Sequence, residues 1–132
     1  MKRMNKLIML VDDDRDFLEI NRGPLEAKGY RVICFSDPDE ALAAVKRERP
    51  DLVLTDLMMK NLDSGFSLAR AIKSEPALAA IPVILVTAVA SQRGLDFNPR
   101  TREELAAMNA EAFFDKPVSP EALVAKVQEL LA

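Results

Sequence analysis

Apolar residues in this chain are concentrated in short runs that recur along its length. Three runs are nearly continuous and rich in branched residues: KLIMLV at 6–11, DLVLTD at 51–56 and IPVILVT at 81–87. Two shorter runs, RVICF at 31–35 and EAFFD at 111–115, have the same character. Runs of this kind are typical of strands that are covered on both faces, as in a parallel sheet. The pattern therefore predicts five buried strands.

Segments with helical periodicity fill the intervals between these strands. Asp37-Pro38 is a helix start, with Glu40 completing a capping box, and Ser119-Pro120 is another. Gly29 marks the end of the first helix. The apolar positions that define five helices are Phe17, Leu18 and Leu25; Ala41, Leu42 and Val45; Phe66, Leu68, Ala69 and Ile72; Leu105, Ala106 and Met108; and Leu123, Val124, Val127 and Leu130.

The order of these elements is a strand followed by a helix, repeated five times. This order predicts an α/β fold with a doubly wound parallel sheet, right-handed crossovers and helices on both faces. We expect one domain over residues 1–132, with no room for an output domain. Gly23-Pro24 interrupts the first helix, so a kink or break is expected there. The segment 88–109 is long, and its helix is expected to start near Thr101.

Composition excludes several classes of function. The net charge of -3 and the pI near 5.1 argue against direct nucleic-acid binding. No apolar stretch is long enough to cross a membrane. The single cysteine, Cys34, fits a reducing, cytoplasmic location and is expected to be a buried packing residue. The chain has no histidine, which rules out a Ser-His-Asp triad, a Cys-His pair and histidine-ligated zinc.

Charged and polar residues follow the predicted strands where each strand ends. Asp12 and Asp13 follow the first strand, Asp56 ends the third, Thr87 ends the fourth, and Lys116 follows the fifth. The carboxyl ends of parallel strands lie at one edge of the sheet, where such folds bind ligands. Two carboxylates about 4 Å apart repel by roughly 4 kcal/mol at an effective dielectric constant of about 20. A bound Mg²⁺ would remove this conflict, because it is held by few oxygen ligands and keeps positions for water and phosphate.

The acidic run at residues 12–14 also has a simpler interpretation. Asp14 can cap the first helix, and its neighbours can interact favourably with the helix dipole. That interpretation accounts for one or two of the acids and leaves Asp56 unexplained.

Four short motifs carry a resemblance to a known family. VDD at 11–13, DLVLTD at 51–56 followed by LMM at 57–59, VTA at 86–88 and DKP at 115–117 resemble the receiver domain of two-component response regulators. The motifs occur in order, each at a strand end, and the resemblance covers the whole chain. It implies the strand order 2-1-3-4-5 of the flavodoxin-like fold.

The resemblance also implies roles for individual residues. Asp56 would accept a phosphoryl group from a phosphohistidine on a partner protein. Mg²⁺ would be held by Asp12, Asp13 and Asp56 together with the Met58 backbone carbonyl, and Asp12 would act through water.

Three further residues would act around the phosphoryl group and transmit its presence. Lys116 would pair with a phosphoryl oxygen, and the Thr87 hydroxyl would bond another. Phe113 would turn inward when Thr87 moves, although it can also be a plain core aromatic. The Lys116-Pro117 bond resembles the cis peptide of the family, and Lys116 could otherwise be an ordinary surface lysine.

The implied partners are a sensor histidine kinase or histidine phosphotransfer protein and an unknown downstream protein. The surface built by the fourth predicted helix, the fifth strand and the last helix would change on phosphorylation. The resemblance also allows a homodimer on activation. Neither nucleic acid nor membrane would be bound directly. The protein would not be a multiple-turnover enzyme, although it would catalyse its own phosphorylation and dephosphorylation.

Two alternatives remain open on the sequence alone. The first is a phosphohydrolase of the haloacid dehalogenase kind, in which Asp12 of the Asp12-Asp13-Asp14 run would be the nucleophile. This alternative leaves Asp56 unexplained, and the sequence lacks the acidic pair that such an enzyme has after its lysine. The second is a receiver-like adaptor that is not phosphorylated, which the complete set of site residues disfavours.

Overall fold

The architecture is a parallel β-sheet with helices on both faces. The structure, a computed structural model, describes residues 6–56, 64–87, 110–116 and 118–132. Its five strands pair in the order β2-β1-β3-β4-β5, and all pairings are parallel. The predicted sheet and strand order are thus confirmed. The strands are β1 (Leu7–Val11), β2 (Arg31–Phe35), β3 (Leu52–Asp56), β4 (Val83–Thr87) and β5 (Ala112–Asp115).

Four helices lie within the described residues. They are α1 (Arg15–Ala27), α2 (Pro38–Glu48), α3 (Ser64–Ser74) and α4 (Pro120–Leu131). The helix expected near Thr101 falls outside the described residues, so α4 corresponds to the fifth predicted helix. None of the described helices combines the length and apolar character that crossing a membrane requires.

The core consists of two clusters, one on each face of the sheet. Successive residues of β1 point to opposite faces, so Met9 and Val11 join the cluster under α2 and α3. Ile8 and Leu10 join the cluster under α1 and α4. The alternation explains why the β1 sequence is apolar at every position. Cys34 is half-buried and packs against the second cluster.

Side chains cap the helices at the positions that the sequence predicts. The Asp14 carboxylate accepts hydrogen bonds from the backbone N–H groups of Asp16 and Phe17 at the start of α1. The Asp37 carboxylate accepts from Glu40 at the start of α2, and the Ser119 hydroxyl accepts from Ala122 at the start of α4. Each cap satisfies a backbone donor that the first helical turn leaves without a partner.

The expectation at Gly23-Pro24 was a kink or a break, and the break is wrong. Helix α1 continues through Pro24 and ends at Ala27. Pro24 lacks the N–H that would bond the carbonyl of Ile20. Ile20 is 58% exposed, so the missing hydrogen bond lies on the solvent side of the helix. Asn21 and Leu25, on either side of Pro24, are buried. Packing of Leu25 into the core cluster on this face of the sheet, and the bond from the Asn21 side chain to the Phe17 carbonyl, support the helix despite the missing hydrogen bond.

The two glycines of the α1 region provide a matched test of this local structure. Gly29 follows the helix with φ +92°, whereas Gly23 lies inside it, and a Cβ at either position would meet no atom within 4 Å beyond its chain neighbours and the local helix backbone. Gly29→Ala should lower the free energy of unfolding by about 1–2 kcal/mol, because a side chain disfavours positive φ. Gly23→Ala should change it by less than about 1 kcal/mol, because the better helix propensity of alanine is opposed by the contact of its Cβ with the Pro24 ring. Urea denaturation measures both, and a larger loss for Gly23→Ala than for Gly29→Ala would contradict this account of α1.

Candidate functional site

The loop between β1 and α1 holds a carboxylate that is inaccessible to solvent. Asp12 is 0% exposed, and its backbone N–H donates to the Phe35 carbonyl at 3.0 Å. Its Oδ1 accepts from the Asp14 backbone N–H at 2.9 Å, and its Oδ2 accepts from the Lys116 ammonium at 2.8 Å. Both carboxylate oxygens of Asp12 are therefore engaged, one by its own loop and one by the residue that follows β5.

Two further carboxylates lie beside Asp12. One oxygen from each of Asp12, Asp13 and Asp56 lies within 4.8 Å of the others. Asp13 is exposed, and Asp56 is 7% exposed. The sheet register explains the meeting, because Val11 and Thr55 are partners in neighbouring strands, so the residues that follow them lie side by side. The predicted convergence of the three aspartates is present.

Burial dominates the electrostatics of Asp12. Loss of solvent raises the pKa of its carboxyl group, because the charged form is the one that water stabilises. The hydrogen bond from Lys116 and the one from the Asp14 backbone act in the opposite direction, while the charge of Asp13 adds to the rise in pKa. The net direction is upward, so the Lys116 ammonium only partly offsets the cost of a buried charge.

This donor set fits a hard divalent cation. Three carboxylates supply oxygen ligands within a small space, and exposed Asp13 leaves one side of the group accessible. Mg²⁺ is commonly bound through one or two carboxylates together with water and phosphate oxygens. A cation would supply the positive charge that Lys116 alone does not. The Met58 carbonyl, the fourth expected ligand, lies outside the described residues.

Lys116 is held by two partners from the β1–α1 region. Besides its 2.8 Å contact with Asp12, its Nζ lies over the ring of Phe17, 4.4 Å from the ring centroid. Its side chain is 18% exposed. These contacts distinguish Lys116 from an ordinary surface lysine. Sequence reasoning treated Phe17 only as a core residue of α1, and its contact with Lys116 becomes visible only once α1 is packed against the sheet.

The remaining predicted residues lie on the neighbouring strands β4 and β5. Thr87 ends β4 and is the register partner of Asp115, which directly precedes Lys116. Phe113 is half-buried and packs against the cluster with α2 and α3, whereas Phe114 packs against the opposite cluster. The backbone thus places residues 87 and 116 at the same edge as the three aspartates.

Comparisons with known proteins agree with this geometry. The family model described as response regulator receiver domain matches residues 8–128. The chain is 32% identical over 128 residues to the alkaline phosphatase synthesis transcriptional regulatory protein PhoP of Bacillus subtilis, covering 97% of this chain and 49% of that protein. It spans about half or less of the length of the first curated relatives it matches.

Two solved structures show the same similarity in three dimensions. The chemotaxis response regulator CheY4 of Vibrio cholerae superposes with a TM-score of 0.80 and 25% identity, covering 96% of this chain and 99% of that one. The receiver domain of sensor histidine kinase PA1611 from Pseudomonas aeruginosa superposes with a TM-score of 0.78 and 27% identity, covering 96% and 98%. The latter structure has a magnesium ion coordinated in its active site cleft.

The buried carboxyl of Asp12 makes a pH-dependent prediction. The pKa of Asp12 in the folded protein lies above the ordinary value of 3.8, so the folded state keeps this proton to a higher pH than the unfolded state does. The free energy of unfolding therefore falls as the pH rises from the unfolded pKa through the folded pKa. Asp12→Asn removes this titration. With chelator present, the stability of Asp12→Asn relative to wild type should therefore increase between about pH 4 and about pH 7.

Urea denaturation across this pH range measures the difference. Asp14→Asn is the control, because asparagine caps a helix as well as aspartate, and its effect should stay within about 0.5 kcal/mol. A relative stability of Asp12→Asn that is constant or decreases with rising pH would show that burial does not dominate at Asp12.

Proposed function

The chain belongs to the response regulator receiver domain family of two-component signalling, and on that premise we propose that it is a phosphoacceptor switch that is phosphorylated on Asp56. The donor would be a phosphohistidine on a sensor histidine kinase or a histidine phosphotransfer protein. The observation that carries the proposal is the meeting of Asp12, Asp13 and Asp56 beside Lys116 at one edge of the sheet.

The position of Asp56 in the sheet supports its assignment as the acceptor among the three aspartates. Both oxygens of Asp12 already accept hydrogen bonds within the protein. Asp56 ends β3, at the centre of the five-stranded sheet, between the strands that carry Asp12 and Thr87. In transfer, an Asp56 carboxylate oxygen would bond to phosphorus as the bond from phosphorus to the imidazole nitrogen breaks. The product is an acyl phosphate.

Charge stabilisation is the main chemical requirement of this reaction. Phosphoryl transfer passes through a loose transition state with negative charge on the three equatorial oxygens, so positioned cations do most of the catalysis. Mg²⁺, when bound by Asp12, Asp13 and Asp56 with the Met58 carbonyl, would neutralise these oxygens and the carboxylates. The Lys116 ammonium, held within the site by Asp12, would pair with one phosphoryl oxygen. The Thr87 hydroxyl would donate to another.

Output would depend on β4 and β5. Thr87 and Phe113 lie on these paired strands, and the register partner of Phe113 is Leu85, two residues before Thr87. We assign Phe113 as the residue that changes position when Thr87 bonds the phosphoryl group. The surface around β5 and α4, with the segment 88–109 that lies outside the described residues, would then present a changed face to a downstream protein or a second copy.

The haloacid dehalogenase alternative is not supported by the site. That reaction needs Asp12 as an accessible nucleophile, and Asp12 is 0% exposed with Lys116 bonded to one oxygen. A switch would not be a multiple-turnover enzyme, so phosphorylation should be stoichiometric.

Substitution of the acceptor tests the assignment directly. Incubation with a small acyl phosphate and Mg²⁺ should add one phosphoryl group to the wild type, seen by mass spectrometry of the intact protein. Asp56→Asn should abolish the addition, because the nucleophilic oxygen is lost. Asp14→Asn, which keeps the α1 cap, should leave it nearly intact. Equal loss of phosphorylation in both variants would refute Asp56 as the acceptor. A wild type that does not respond to beryllofluoride with Mg²⁺ would favour the adaptor that is not phosphorylated.

Removal of the metal tests the ligand set without any phosphoryl donor. Mg²⁺ at about 100 times its dissociation constant should raise the free energy of unfolding by about 2.7 kcal/mol, because it binds only the folded site. Asp13→Asn should lose most of this gain. Asp16→Asn, an exposed acid in the first turn of α1, is the control and should retain it. Thermal unfolding with Mg²⁺ and with chelator measures the effect, and equal gains in the two variants would contradict Asp13 as a ligand.

A further inference from the structure

Phe17 makes a contact with the site that has no role in the proposed phosphoryl transfer so far. Its ring lies under the Lys116 ammonium, with Nζ 4.4 Å from the ring centroid. The Phe17 residue is 9% exposed, and the Lys116 side chain is 18% exposed. A lysine ammonium over an aromatic face is attracted by the negative face of the ring, and the attraction strengthens when water is excluded.

Hydrogen bonds connect the backbone of Phe17 to Asp12. The Phe17 N–H donates to the Asp14 carboxylate at 3.4 Å, and the Asp14 N–H donates to Asp12 Oδ1 at 2.9 Å. On the other side, the buried Asn21 side chain donates to the Phe17 carbonyl at 2.8 Å. The Phe17 backbone and the Asp12 carboxylate are therefore parts of one hydrogen-bonded unit, and the Phe17 ring and that carboxylate both contact Lys116.

The two contacts differ in how they respond to a cation. A carboxylate that binds a divalent cation has less negative charge to offer a lysine. The ring is uncharged and supplies no ligand atom, so a cation at the carboxylates does not compete with Lys116 for it. From this difference we propose that Phe17 is a positioning residue for Lys116: its ring holds the ammonium at the site when Asp12 is occupied by a metal. This inference rests on the proposed function.

Two substitutions separate the ring from the volume it fills. Phe17→Tyr keeps an aromatic face, whereas Phe17→Met fills similar space with a flexible apolar chain. Tyr30→Met is the matched control, because Tyr30 packs against the same core cluster but lies beside the opposite end of the sheet. It removes an aromatic ring without removing a contact to Lys116.

The first measurement follows Lys116 itself and needs no phosphoryl donor. In protein with ¹³C-labelled lysine, the ε-CH₂ protons of Lys116, assigned by their loss in Lys116→Arg, should be shifted upfield by the ring. The shift should persist when Mg²⁺ is added. It should remain in Phe17→Tyr and Tyr30→Met and disappear in Phe17→Met. Loss of the shift in wild type on adding Mg²⁺ would overturn the proposal.

The second measurement is the rate of phosphorylation by a small acyl phosphate with Mg²⁺. Phe17→Met should be slower than wild type by about three- to tenfold, with Phe17→Tyr and Tyr30→Met within about twofold. A slow Phe17→Tyr, or a Phe17→Met as fast as wild type, would refute a positioning role. If the wild type accepts no phosphoryl group at all, the proposed function fails, and the spectrum with Mg²⁺ still decides whether the ring holds Lys116.

Discussion

The contact between Asp12 and Lys116 is the constraint on which the site depends. The two residues are 104 positions apart in the chain, and their side chains meet at 2.8 Å with Asp12 fully buried. A buried charge with no partner is strongly destabilising, so the loop after β5 must bring Lys116 to this point. The contact thus connects the loops that follow β1 and β5 across the carboxyl edge of the sheet, on either side of Asp56.

Negative charge is concentrated around this pair. At the group of three carboxylates the Lys116 ammonium bonds Asp12, and burial still raises the pKa of Asp12 despite that hydrogen bond. Structures carry such locally unfavourable arrangements mainly at functional sites, where the stability of the rest of the fold maintains them. Here the cores on the two faces of the sheet supply that stability. Under the proposed function, this concentration of negative charge would give the site an affinity for a cation and, through the cation, for a phosphoryl group.

Much of this arrangement could be predicted from the sequence because it follows from strand ends. Strands with every position apolar indicate a sheet covered on both faces, and a parallel sheet brings Asp12 and Asp56 to one edge whatever the details of packing. Phe17 was not found this way, since an apolar residue in a helix is indistinguishable from any other core residue until α1 is docked. Pro24 misled for a related reason. Local propensity disfavours a helix there, but the buried neighbours of Pro24 decide the outcome.

The division of the sheet into firmly and loosely held strands follows from the same packing. Every residue of β1 and β3 is buried, so both strands are packed on both faces. Asp12 directly follows β1, and Asp56 is the last residue of β3. In β5 only Ala112 is buried, and Phe113, Phe114 and Asp115 are half-buried at the edge of the sheet. Segments with fewer buried contacts change conformation at lower cost in free energy. The carboxylates therefore lie at the ends of fully buried strands, whereas Lys116 follows a strand that is mostly half-buried. Under the proposed function, a phosphoryl group between them would meet a more rigid side and a less rigid side, so we expect its main structural effect on β5 and the surface that β5 carries.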